Sequence, residues 1–89
     1  MRREPDFFGD RDLVLLYIAK RLDEALKLEA ALSAAGLDYL VEADHYQGGV
    51  IFRAERVGAF FYVPPEAAEA ARQLLRSQGW RPLAGEGWQ

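Results

Sequence analysis

The chain contains no cysteine, no asparagine and no threonine, and its only serines are Ser33 and Ser77. Without cysteine there is no disulfide framework, no thiolate metal cluster and no cysteine nucleophile. A serine nucleophile would have to be Ser33 or Ser77, and both fall in the last turns of predicted helices, with no strained nucleophile turn around them. His45 is the single histidine, too few nitrogen ligands for a zinc site, so no metal or other cofactor is expected. Lysine occurs only at Lys20 and Lys27, and 14 acids against 11 bases give a net charge of -3. That balance, with acids interleaved among the arginines, argues against a nucleic-acid partner. The longest apolar run, Leu13 to Ala19, is strand-sized, whereas spanning a bilayer takes about 20 residues. The charged start, Met1-Arg2-Arg3-Glu4, does not resemble an export signal. A cytoplasmic location and no membrane partner are therefore expected.

What is present suits one small domain: 89 residues, of which 51% are hydrophobic. Leu13 to Ala19 reads as a strand covered on both faces or nearly so. From Leu22 to Ala35 the spacing becomes helical, and Leu22, Ala25, Leu26, Leu28, Leu32 and Ala35 form one broad apolar stripe. Gly36 is placed to end that helix with a positive φ. Leu37 to Ala43 alternates as a strand, with Leu37, Tyr39, Val41 and Ala43 on one face, and Asp44 to Gly49 reads as a turn or short loop. The apolar pattern resumes at Val50 and runs to Val63, with Glu55-Arg56-Val57-Gly58 as either a hairpin turn or a bulge. Pro65 suits the first position of a second helix, whose stripe is Ala67, Ala70, Ala71, Leu74 and Leu75 and which Gly79 closes. Trp80-Arg81-Pro82-Leu83 is expected as a short edge strand, because Pro82 cannot donate to a ladder.

The expected organisation is a single α+β domain over 1–89, with an N-terminal arm (1–11), a core (12–83) and a tail (84–89). Its order, βαββαβ, predicts a ferredoxin-like sandwich in which a four-stranded antiparallel sheet carries two helices on one face. Such a sheet leaves its second face uncovered. Tyr39, Phe60 and Tyr62 are the residues expected to form an interface there, making a homodimer or a contact with a protein partner.

Tyr46-Gln47-Gly48-Gly49-Val50-Ile51-Phe52-Arg53 resembles the Gln-Gly-Val-x-Phe-Arg loop of acylphosphatases, in which backbone amides and an arginine cradle an acyl phosphate. The likeness fails on three counts. The loop follows the second strand rather than the first, no full helix fits between Arg53 and Ala59, and the asparagine that would position water is missing. His45, Arg53 and Arg56 remain as weak candidates for binding a small anion or metabolite, and no catalytic residue is assigned. Glu29 falls inside the apolar stripe, where it either contacts a ligand or lies at the margin with its stem packed.

Leu15 to Ala19, Glu24-Ala25, Leu32-x-x-x-Gly36-Leu37, Val57-Gly58-Ala59-Phe60-Phe61-Tyr62-Val63-Pro64 and the Ala67 to Leu75 helix together resemble the prokaryotic signal-transducing protein family, small domains with a ferredoxin-like, PII-like core. The resemblance spans about Leu13 to Gly79. It implies a regulatory or interaction module without enzymatic activity, and it carries over no catalytic residue.

Overall fold

The computed structural model describes residues 1–48 and 54–82. After a short 3-10 turn, Pro5–Phe8, come strand β1 (Val14–Ala19), helix α1 (Leu22–Ala34), strands β2 (Leu40–Gly48) and β3 (Ala54–Val63), and helix α2 (Pro65–Ser77). The strands form an antiparallel sheet in the order β1-β3-β2. This is an α+β fold compatible with part of a ferredoxin-like sandwich, and among the described residues the sheet has three strands rather than the four expected. Residues 80–82, expected to open a fourth strand, belong to no strand. The Trp80 N–H instead donates to the Leu75 carbonyl, closing α2, and its ring packs edge-on against Tyr17 at 5.3 Å. Leu83 lies outside the described residues.

The helix ends follow from local chemistry. Pro65 opens α2 with φ already set and no amide to satisfy. Gly36 (φ 75°) and Gly79 (φ 85°) take the left-handed conformation that lets the chain turn back onto each helix end. At the start of α1, Arg21 provides no side-chain cap. Glu24 accepts the Lys20 N–H just before the helix at 2.8 Å and the Tyr17 hydroxyl at 3.1 Å, which ties β1 to the first turn of the helix.

Both helices lie on one face of the sheet. Ala25, Leu28 and Leu32 of α1 and Ala68, Ala71 and Leu75 of α2 close over Leu16, Ala19, Phe61 and Val63. In α2 the buried alanines are thus 68 and 71, while Ala70 is exposed. A register shift between Leu15 and Tyr17 places an extra residue in β1. Leu16 is consequently fully buried on the helix side, where Tyr17 also packs.

Two elements run differently from the sequence expectation. The stretch from Asp44 was expected to turn, yet β2 continues through it to Gly48, and Asp44, His45, Tyr46 and Gln47 pair with Gly58, Val57, Arg56 and Glu55. Residues 55–58 are accordingly mid-strand, neither turn nor bulge. Main-chain pairing does not require apolar side chains, so the hairpin extends beyond the helices, where alternation has nothing to bury. The N-terminal arm is also structured. Arg2 bridges Tyr39 in parallel, the Arg3 N–H donates to the Tyr39 carbonyl at 2.8 Å, and the Arg3 side chain reaches Asp38 at 2.9 Å. Because β1 lies at the opposite edge of the sheet, residues 4–13 must then cross the sheet to reach it. Phe8 is buried on the way, outside the helix-side core.

Candidate functional site

The residues expected to share a free sheet face separate into two environments. Tyr39 is 1% exposed and points to the helix side, stacking on Phe61 at 5.9 Å. Its hydroxyl donates to the Glu29 carboxylate at 3.1 Å and lies 3.3 Å from the Ser33 hydroxyl. It is a core residue, not an interface residue. Glu29 is explained by the same contact and lies 3.8 Å from the Arg2 guanidinium. Phe60 and Tyr62 do occupy the second face, opposite Glu42 and Leu40 in the ladder. Phe60, however, is only 6% exposed, and Leu40 and Phe8 are buried outside the helix-side core as well. Phe60 and Leu40 therefore leave little apolar surface free on this face. Tyr62 is half-buried.

Of the anion-binding candidates, Arg53 lies outside the described residues. His45 and Arg56 occupy neighbouring rungs of the β2–β3 ladder, opposite Val57 and Tyr46 respectively. Neighbouring rungs alternate between faces, so the backbone does not bring these two positions together. Among the described residues no group of three or more His, Asp or Glu could hold a metal ion. No described helix is long and apolar enough to cross a membrane.

Among the described residues three tyrosines have phenols that ionise above their ordinary range. Burial pushes Tyr17 up to about 12, helped by its hydrogen bond to Glu24. Tyr39 is raised chiefly by burial, and Tyr62 by burial and then by Glu42 and Asp44. For Tyr17 the folded state holds the proton more tightly than an unfolded chain, in which tyrosine titrates near about 10. Its stabilising contribution is therefore complete below about pH 10 and lost as pH rises through about 12. Chemical denaturation across that window should show falling stability, with a shallower fall in Tyr17→Phe. Equal slopes in the two proteins would refute this assignment.

The feature with chemical potential is one that the helical stripe concealed. Leu22 and Leu26 were expected in the core, but they are 75% and 56% exposed. Val57, on the helix-side face of β3, is 60% exposed. Between the first turn of α1 and the part of the hairpin that outruns it lies an open groove of about 310 Å³. Leu22, Ala25, Val41, Ala43, Val57 and Ala59 supply its apolar lining, and Arg2, Lys20 and Arg21 supply its charge. Among the described residues no carboxylate lines it, although acids outnumber bases in the chain. Arg21 is partly balanced by Asp23 at 3.3 Å and Arg2 by Glu29, but the lining itself is purely cationic and apolar. Sequence reasoning missed this site because periodicity identifies the residues that share a helix face, not how far the sheet beneath covers them. The one available signal was a stripe of six residues on a helix of under four turns.

Comparison of the chain with protein-family models, with curated proteins and with solved structures gives no match.

Proposed function

We propose that this chain is a non-enzymatic binding module, a regulatory or protein-interaction domain that makes its contacts through the groove between α1 and the β2–β3 hairpin. The observation that carries the reading is the exposure of Leu22 and Val57 on either side of an apolar floor. Burying a leucine or valine side chain is worth about 1.5–3 kcal/mol, and the fold leaves that stabilisation unused in a concave place where a partner can gain it. The groove offers contact area and positive charge, and among the described residues its lining supplies no hydroxyl and no carboxylate. The resemblance to the signal-transducing family, read from the strand and helix landmarks, favours the same class. Self-association through the second sheet face is the weaker form of this proposal, because Phe8, Leu40 and Phe60 are already buried there.

An apolar aromatic anion, anilinonaphthalene sulfonate, tests the groove. The folded protein should bind it saturably at one site. Leu22→Gln combined with Val57→Thr changes only exposed side chains, so stability should stay within about 0.5 kcal/mol. Dye affinity should fall about tenfold, the equivalent of roughly 1.4 kcal/mol. Unchanged dye binding in a folded double variant would overturn the groove as the contact surface.

A further inference from the structure

Resting on the groove reading, we propose that the outer edge of β2 takes an extended segment of another protein as an added strand. That strand continues the ladder begun by residues 1–3. The sheet order leaves β2 at an edge, and the edge already accepts a strand: the Tyr39 N–H donates to the Met1 carbonyl at 3.0 Å, and the Tyr39 carbonyl accepts from Arg3 at 2.8 Å. This pairing covers a single rung. The chain leaves the edge at Glu4, because Pro5 has no amide to continue it and opens the 3-10 turn.

Outward and inward rungs alternate along a strand. Tyr39 directs its main-chain groups outward, so Val41 and Ala43 do the same, while Leu40 and Glu42 face Tyr62 and Phe60 of β3. Among the described residues no strand pairs with β2 beyond Tyr39 on this side. Val41 and Ala43 are also lining residues of the groove. A strand added at this edge therefore lays every second side chain along the groove, and main-chain bonding and groove burial become one binding event.

Charge specifies the occupant. On the groove side the added strand meets Val57, Leu22 and the cations Arg2, Lys20 and Arg21, which favour apolar and acidic residues. On the other side it runs beside the exposed Glu42 and Asp44, which favour lysine or arginine. A second copy of β2 paired across a two-fold axis at Glu42 or Ala43 would set these acids against their own counterparts, and like charges directly opposite destabilise a sheet. The matching partner is a heterologous segment alternating basic residues with apolar and acidic ones.

A capped hexapeptide, Lys-Val-Lys-Leu-Lys-Glu, tests this with the full chain. It should bind and protect the Val41 and Ala43 amides from hydrogen exchange. Two N-methylated forms, one blocked at the lysine amides and one at the other three, should differ. One loses about tenfold in affinity, and the other stays within about twofold, since only alternate amides face β2. If both methylated forms bind like the parent, or binding leaves Val41 and Ala43 unprotected, the added strand is refuted and the groove alone holds the peptide. If the peptide fails to bind while the dye still responds to Leu22 and Val57, the strand proposal falls and the groove reading stands. Protection of the same amides without peptide, in a protein that sediments as a dimer, would assign the edge to a second copy and overturn the proposal.

Discussion

Phe61→Ala is expected to cost about 3–5 kcal/mol of folding stability, the range for emptying a phenylalanine site in a packed core. Phe61 lies on the central strand, is fully buried, stacks on Tyr39 and stands in register with Tyr17 on one side and Val41 on the other. It joins the layer covered by both helices, so a cavity there cannot be filled by moving one element without disturbing another. Domains of this size have about 5–15 kcal/mol in total, and the variant would lose roughly a fifth of that or more. Urea denaturation should show a lower midpoint at unchanged slope. Phe61→Leu, which keeps most of the volume, should cost under about 1.5 kcal/mol. A loss below about 1 kcal/mol in the alanine variant would mean that the core is centred elsewhere.

Phe8→Ala is the second large effect, expected at about 3 kcal/mol. The polar contacts of the arm cannot hold it alone. Arg3 with Asp38 and Arg11 with Glu66 are at least a third exposed, and water and salt screen such pairs so that they add little. Phe8 is 5% exposed and is the one buried side chain of the arm, outside the helix-side core, so its burial is what can hold the arm in place. Its removal should free the Arg3 amide to exchange with solvent while the β1–β3 ladder remains protected. Arg3→Ala should cost under about 1 kcal/mol. An alanine variant at position 8 within about 0.5 kcal/mol of the parent would show that the arm contributes nothing to the fold.

The contrast between legible and illegible parts of this chain has a physical basis. Pro65, Gly36 and Gly79 act through their own backbone geometry, so the helix limits could be read one residue at a time. Val63 and Phe61 alternate with Tyr62 and Phe60 because the strand separates two apolar environments, and that pattern is visible too. The overrun of β2 was hidden because Asp44, His45 and Gln47 look like turn residues, whereas their backbone groups pair regardless of side chain. The bridge between Arg2 and Tyr39 joins positions with no local signal linking them. Trp80 was read as a strand residue from its neighbours, but its ring is claimed by Tyr17 and its amide by Leu75. For the site, Leu22 and Val57 look like core residues in one dimension. Only the lengths of α1 and the hairpin, compared in space, show that they lie beyond cover.

The arm has a consequence for how the protein is made. Arg2 is synthesised 37 residues before its bridge partner Tyr39, and β3 arrives later still. A nascent chain must therefore carry Phe8 unsatisfied until its partners are made. Docking of the arm can only be a late step, completed after β2 and β3 have paired.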